Sequence, residues 1–265
     1  MLTYSRQFFG IVYLTISFAQ TCFAQNCTSP ETICGWGVGY TDWISCAGGC
    51  NFGYYQSGGE CCCQYTPIII DLSGEGIHLS SAENGVLFRI TGRQDSLKRI
   101  AWPERGSENA WLVLDRNGNG LVDDSRELFG NTTPLPVGYS LPPGIPKNGF
   151  TVLAAFDRVE YGGNQNGLID SHDSVYRRLR LWIDRNRNGI SEASELITLE
   201  EAGIVSIDLD YRNSHKIDTH GNEFRWRSKI QKSNGSDVAP WAWDVKLKLT
   251  APPPGMVGLQ SNLVR

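Results

Sequence analysis

The chain from residue 67 onward alternates short apolar segments with short polar loops. Two compact apolar runs, residues 68–70 and 111–114, predict buried strands early in this region. Apolar and polar side chains alternate in two later segments, residues 224–226 and 243–249, and this alternation predicts two strands that close a sheet. Core packing is favoured for their aromatic side chains, with sugar binding as the alternative.

Three segments between these strands have the character of helices. Residues 150–156 form an apolar run that predicts a helix, and Val175, Leu179 and Trp182 recur at helical spacing before a polar loop. Residues 195–202 predict a further helix after that loop. The predicted order is therefore helix, loop, helix, loop, helix.

The loop between the last two predicted helices, residues 184–195, has the spacing of an EF-hand calcium loop. Oxygen-bearing side chains stand at loop positions 1, 3, 5, 9 and 12, and glycine stands at position 6. Calcium takes about six to eight oxygen ligands, the glycine permits a sharp turn, and a glutamate at position 12 can bind through both oxygens. The predicted ligands of this loop, which we name loop 3, are Asp184, Asn186, Asn188, Ile190 through its carbonyl, Glu192 and Glu195.

A second loop, named loop 2, precedes it in the chain. Residues 164–173 match positions 3 to 12, and Asp157 supplies position 1 if residues 158–163 bulge out. The predicted ligands of loop 2 are Asp157, Asn164, Asn166, Leu168, Asp170 and Asp173.

Loop 1, residues 115–127, begins in the same way but carries its closing acid one place late. Arg126 stands where the bidentate glutamate is expected, and the preceding segment reads as a strand. The predicted ligands of loop 1 are Asp115, Asn117, Asn119, Leu121, Asp123 and Glu127. A fourth, partial loop begins at Asp71 and alone would make a poor site.

Ordinary turns also use clusters of aspartate, asparagine and glycine. Three such clusters with the same spacing of aspartate, asparagine and glycine favour calcium binding. Because asparagine replaces carboxylate at several positions, the sites are predicted to be weak, with dissociation constants on the order of 10⁻⁴ to 10⁻³ M. Calcium is therefore the expected cofactor, with a structural role. The predicted fold class is α+β, a small β-sheet domain with inserted EF-hand-like helix-loop-helix calcium loops, preceded by a disulfide-rich segment.

The first 24 residues have the layout of a secretory signal peptide. Arg6 precedes an apolar stretch, residues 8–19, and cleavage is expected after Ala24. A retained anchor is the alternative, but this run is shorter than the roughly 20 apolar residues of a spanning helix. The expectation is a secreted or periplasmic protein with no membrane span after signal removal.

The cysteines beyond the signal all fall within residues 25–66. In an oxidising compartment they predict a small module stabilised by disulfide bonds, with one cysteine left unpaired. A metal site with cysteine ligands is the alternative. The disulfide candidates are Cys27, Cys34, Cys46, Cys50, Cys61, Cys62 and Cys63. The predicted division is a signal peptide at 1–24, this cysteine-rich module, a calcium-binding domain at 67–250 and a flexible tail at 251–265.

Charge and motifs restrict the function further. Removing the signal changes the formal charge to 23 minus 28, or −5, and no basic stripe suggests nucleic-acid binding. The four histidines, which show no HExxH spacing and are expected at the surface or in loops, are His78, His172, His215 and His220. No GxSxG motif occurs, so no catalytic residue is predicted.

Residues 67–76, 115–130, 179–184 and 203–209 resemble the calcium-dependent self-processing module of RTX-type secreted bacterial proteins. The chain resembles more closely exported bacterial proteins that are described as containing EF-hands. Residues 161–164 and 218–227 are also similar to segments of those proteins. In the self-processing relatives, calcium promotes cleavage of an Asp-Pro bond before the first strand. The corresponding bond here is Thr66-Pro67, and the chain contains no Asp-Pro dipeptide, so the resemblance does not imply cleavage.

The favoured function is therefore an exported, non-enzymatic calcium-binding protein whose loops stabilise a binding or scaffolding domain for an unknown protein or surface partner. One alternative is an autoprocessing or hydrolytic enzyme that uses calcium structurally. The other is a surface adhesion module presented by the cysteine-rich segment.

Overall fold

Antiparallel β-structure dominates the part of the chain that the computed structural model describes, residues 65–89, 97–233 and 241–250. One α-helix, α1, spans Gly149–Phe156, and two short 3₁₀ turns span Val159–Tyr161 and Ala193–Glu195. The strands are β1 (Ile68–Asp71), β2 (Val86–Arg89), β3 (Leu97–Ile100), β4 (Asn109–Val113), β5 (Leu168–Ile169), β6 (Arg180–Trp182), β7 (Leu196–Thr198), β8 (Ile204–Asp208), β9 (Arg212–Ile217), β10 (Glu223–Lys232), β11 (Trp241–Lys246) and β12 (Leu249–Thr250).

These strands form two sheets. The larger one has the order β5-β8-β10-β11-β1-β4-β6-β7, and β9 also pairs with β10. The smaller one has the order β12-β3-β2. Strand β10 is long enough to pair with β9 along its first half and with β8 along its second half.

The large sheet is covered on both faces in its centre. In β1, Ile68 and Ile70 point to a core that includes α1, whereas Ile69 points to a core that includes the small sheet. We call these two sides the helix face and the small-sheet face. Because both are buried, β1 is an unbroken isoleucine run, whereas a sheet with one solvent face shows alternation.

Helix α1 begins at a local signal. The side-chain oxygen of Asn148 accepts a hydrogen bond from the Thr151 N–H, and the Thr151 hydroxyl accepts one from the Asn148 N–H. This reciprocal capping satisfies two backbone donors that a helix N-terminus otherwise leaves unpaired. The predicted helix at residues 150–156 is thereby confirmed.

The α+β prediction with helix-loop-helix pairs is wrong. Residues 180–182 form β6, which pairs with β4 on one side and β7 on the other, and residues 196–198 form β7. The helical spacing was misleading because Val175 and Leu179 lie in the helix-face core while Trp182 lies in the small-sheet core. Pairing with a distant strand therefore overrides the local pattern.

The predicted early strands are confirmed as β1 and β4, and the late segments form β10 and β11 in the large sheet. Leu249 instead belongs to β12 in the small sheet. The signal peptide, the disulfide candidates and the tail lie outside the described residues, and the ranges that are described contain no disulfide. None of the helices in those ranges meets the length and hydrophobicity that a membrane-spanning segment needs.

Candidate functional site

Loops 1 and 3 each connect two antiparallel strand segments. Loop 3 joins β6 to β7, and the Ile183 N–H donates to the Glu195 carbonyl at 3.0 Å where the strands meet. Loop 1 follows β4 and returns beside it, with the Leu114 N–H donating to the Glu127 carbonyl at 2.8 Å. These loops are hairpin connections, so the EF-hand prediction fails for their flanks.

Loop 2 runs from the end of α1 into β5, and the residues after β5 form turns. It is flanked by a helix on one side only. The loops nevertheless share an internal arrangement, which begins with the aspartate at position 1.

In every loop one carboxylate oxygen of the position 1 aspartate accepts a hydrogen bond from the N–H of the position 6 glycine. The distances are 2.8 Å from Gly120 to Asp115, 2.9 Å from Gly167 to Asp157 and 2.9 Å from Gly189 to Asp184. These glycines have φ of +82°, +79° and +71°, a conformation that residues with a Cβ rarely adopt. The sequence pattern therefore encodes one recurring turn.

Asp157 reaches position 1 of loop 2 through a bulge at residues 158–163. Both of its carboxylate oxygens accept backbone hydrogen bonds, from Asn166 at 3.2 Å and from Gly167 at 2.9 Å. Gly163 closes this bulge, because a Cβ there would lie 2.1 Å from the Asp157 carbonyl carbon. The inserted segment therefore leaves the loop's own turn unchanged.

The asparagines and the position 9 acids meet in each loop. Both asparagine amides of loop 1 donate to the Asp123 carboxylate at 2.8 Å, and both amides of loop 3 donate to Glu192 at 3.1 and 2.8 Å. In loop 2 the Asn166 amide donates to Asp170 at 2.9 Å. The position 5 asparagine oxygens accept from the position 7 N–H groups at 2.7 to 2.9 Å. Rotation of an amide would present its oxygen in place of its nitrogen.

The closing acids occupy equivalent places despite their different spacing. Glu195 accepts a backbone hydrogen bond from Arg185 at 2.9 Å, and Glu127 accepts the corresponding bond from Arg116 at 2.9 Å. Glu127 therefore takes the closing place although it stands one residue late. Arg126 does not intrude, because its guanidinium pairs with Asp124 at 2.7 Å. In loop 2, Asp173 accepts from the Asp170 N–H at 2.8 Å.

Two buried carboxylate oxygens in these loops have no hydrogen-bond partner, Oδ1 of Asp173 and Oε2 of Glu192. Burial raises the pKa of Glu127 and of Asp173, and nearby carboxylates add to the effect in both. Burial, followed by a hydrogen bond with Glu192, likewise raises the pKa of Glu195. Each closing carboxylate therefore lies where its negative charge is costly, and a bound divalent cation would relieve that cost.

Acidic side chains alone do not form the sites. Among residues 65–89, 97–233 and 241–250, no three His, Cys, Asp or Glu side chains are gathered closely enough to hold a metal ion by themselves. Any calcium coordination must therefore also use asparagine and backbone carbonyl oxygens, which are suitable ligands for this hard cation.

Contacts from the core to loop 3 were not predicted from the sequence. The Trp102 indole N–H donates to Asp184 at 2.7 Å, and the Trp182 indole N–H donates to Glu195 at 3.2 Å. Loops 1 and 3 also touch, because the Val122 N–H donates to the buried Ser191 hydroxyl at 2.7 Å. No local signal reveals these contacts, since their partners are far apart in the chain.

The turns at Asp71 and Asp218 lie outside loops 1, 2 and 3. Asp71 forms a similar turn and accepts from the Gly74 and Gly76 N–H groups at 2.9 and 2.7 Å. Asp218, which was not among the predicted sites, accepts from the Asn222 N–H at 2.9 Å. The predicted exposure of the four histidines is confirmed.

Comparison with known proteins finds a family that matches the part of the chain containing these loops. The profile of the SPM domain family matches residues 68–246, which run from β1 to the end of β11. The chain is also 36% identical over 174 residues to the iron-regulated protein FrpA of Neisseria meningitidis serogroup C. That match covers 65% of this chain but only 14% of FrpA, so the chain corresponds to a small part of that protein. The family match covers more than half of the sequence, and the chain belongs to the SPM domain family.

Proposed function

We propose that this chain is an exported calcium-binding protein whose three loops hold calcium and thereby stabilise a binding or scaffolding domain outside the cytoplasm. The observation that carries the proposal is the repetition of one hydrogen-bonded arrangement in loops 1, 2 and 3. Ordinary turns need the aspartate and the glycine, but they do not need buried closing carboxylates with raised pKa.

The residues of each loop fit a calcium ion in kind and number. Loop 3 offers carboxylates at positions 1, 9 and 12, amide oxygens at positions 3 and 5 and a backbone carbonyl at position 7. Calcium, when bound, would supply a positive charge that offsets the repulsion between the neighbouring carboxylates. The chain itself holds the position 1 aspartate and the closing acid in place through backbone N–H groups, so little reorganisation is required of them.

A structural role follows from the expected affinity. Asparagine replaces carboxylate at two positions of each loop, which predicts dissociation constants on the order of 10⁻⁴ to 10⁻³ M. At about 10 mM calcium, such a site adds roughly 1.4 to 2.7 kcal/mol to the free energy of unfolding. This gain is a sizeable fraction of the total stability of a domain.

The melting temperature should therefore rise by several degrees between excess chelator and about 10 mM calcium. Glu195→Gln removes one charge from the closing position of loop 3 and should lose part of that rise. Glu104→Gln is the matched control, because it makes the same charge change at an exposed position outside the three loops. Differential scanning calorimetry of the three proteins measures the shift. An equal rise in melting temperature with calcium in all three proteins would show that loop 3 does not bind the stabilising calcium.

The proposal includes no self-cleavage. At the position where the resembling modules carry aspartate, Thr66 is buried, and its hydroxyl lies 3.5 Å from Asp244. A threonine lacks the carboxyl group that would attack its own backbone carbonyl. Intact-mass analysis after incubation with calcium should therefore show one unchanged species. A calcium-dependent fragment would favour the autoprocessing alternative.

A further inference from the structure

A group of cations and indoles lies on strands β9, β10 and β11, at the edge of the small-sheet face. Its members are Arg212, Lys216, Arg227, Lys229, Trp241 and Trp243, and we call this group the cationic face. The register places Arg212, Arg227 and Trp243 in one row across the three strands, and Lys229 opposite Trp241 in a neighbouring row. Side chains in directly opposed positions share one face of a sheet.

Two of the four cations contact aromatic rings. The Arg227 guanidinium lies 4.5 Å from the ring centroid of Trp241 and 5.5 Å from that of Trp243. The Lys216 ammonium lies 4.5 Å from the Phe224 ring and 5.5 Å from Trp243. Such contacts orient a cation without neutralising it.

The charge of this face is largely uncompensated. Within the described ranges, no carboxylate lies within ion-pair distance of Arg227, Lys216 or Lys229, and Arg212 has only a 4.0 Å contact with Asp210. Arginine and tryptophan are also the residues most enriched where proteins bind each other tightly. The face therefore fits an acidic partner that carries aromatic side chains. A second copy of the same face would bring like charges together, which opposes self-association.

One segment of this chain has that chemistry. Residues 25–64 contain no lysine, arginine or histidine, and their acidic residues are Glu31, Asp42 and Glu60. They also contain six aromatic residues, which are Trp36, Tyr40, Trp43, Phe52, Tyr54 and Tyr55. Residues 251–265, the other long segment outside the described ranges, contain no acidic residue.

The segment is also attached close to this face. It joins the described domain at Tyr65, whose carbonyl accepts a hydrogen bond from the Leu247 N–H at 3.0 Å, just after the end of β11. Trp243 stands four residues before Leu247, which is about 13 Å along a strand. A tethered segment has an effective concentration in the millimolar range, so even weak charge contacts become populated.

We propose that the cationic face is the docking surface for residues 25–64 of the same chain. The acidic side chains of the segment pair with the four cations, and its aromatic side chains pack against the exposed parts of Trp241 and Trp243. This inference does not depend on calcium binding by the loops.

Zero-length carbodiimide cross-linking of the full chain, followed by peptide mass spectrometry, tests the proposal. Links should join Lys216 or Lys229 to Glu31, Asp42 or Glu60. An equal mixture of ¹⁴N- and ¹⁵N-labelled protein should show these links within single chains. The double variant Arg212→Glu/Arg227→Glu should reduce their yield about fivefold or more. The matched control, Arg177→Glu/Arg178→Glu, makes the same charge change at exposed positions away from the face and should leave the yield unchanged.

Three outcomes would overturn the inference. The first is an absence of links between these lysines and the segment. The second is links between differently labelled chains, which would assign the face to a second copy. The third is equal loss of links in both double variants, since that would show only a dependence on overall charge. Circular dichroism confirms in each case that the variants keep the fold.

Discussion

Replacing Trp102 with alanine should lower the free energy of unfolding by about 4 kcal/mol or more. The indole is fully buried, and its ring lies within 5.4 Å, centroid to centroid, of Phe88, Trp111 and Trp182. Truncating a buried tryptophan typically costs about 3 to 5 kcal/mol. The loss of the hydrogen bond to Asp184 adds about 1 to 3 kcal/mol, because that carboxylate is itself buried.

A loss of this size could leave the protein unfolded, so Trp102→Phe provides the measurable comparison. Phenylalanine keeps an aromatic ring in the core but cannot donate to Asp184. Urea unfolding in the presence of chelator should show an intermediate loss of stability for this variant. Trp241→Ala, at a partly exposed position outside both cores, is the control and should cost less. Equal losses in Trp102→Ala and Trp241→Ala would contradict the central role of the buried cluster.

The stability of the protein should fall as the pH rises toward 8, and Asp244→Asn should remove much of this dependence. Asp244 lies in β11 and is fully buried, and its Oδ1 has no hydrogen-bond partner. Burial raises its pKa to about 8, although the Gly149 N–H and the Thr66 hydroxyl oppose the shift. The folded state therefore keeps a proton that the unfolded state releases.

The direction follows from proton linkage. The unfolded carboxyl ionises near its ordinary pKa, so between that pH and about 8 the folded state binds more protons and loses about 1.4 kcal/mol per pH unit. Between pH 5 and 7.5 the difference between the wild type and Asp244→Asn should change by on the order of 3 kcal/mol. Urea unfolding in chelator at both pH values measures it, with exposed Asp210→Asn as the control. Parallel pH profiles for the wild type and Asp244→Asn would contradict the assignment.

Elements whose structure is determined by neighbouring residues could be predicted from the sequence. The isoleucine run of β1 and the capped apolar run of α1 each carry their own signal. Strand β6 does not, since it is a strand only because β4 and β7 pair with it on either side. Trp182 is paired with Trp111 on one side and with Leu196 on the other only in the folded sheet. Trp111 and Trp182 are too far apart in the chain for a local sequence pattern to reveal their pairing.

The same division applies to the candidate site. The turn that joins Asp184 to Gly189 is local, so its spacing is visible in the sequence, as it is in loops 1 and 2. The closing acid of loop 1 stands one place late in the sequence, yet Glu127 accepts its backbone hydrogen bond from position 2 of its loop, as Glu195 does in loop 3. The indole donors that bind loop 3 come from the core and could be found only once the fold was known.

Calorimetric titration of calcium into the purified, chelator-stripped protein tests most directly whether the repeated loops are metal sites. Saturable binding is predicted, with one calcium ion for each of the three loops and dissociation constants on the order of 10⁻⁴ to 10⁻³ M. Asp184→Ala should remove one of these ions, because the position 1 carboxylate also holds the turn at Gly189. No saturable heat up to about 10 mM calcium, together with no metal found on the protein by elemental analysis, would contradict the account.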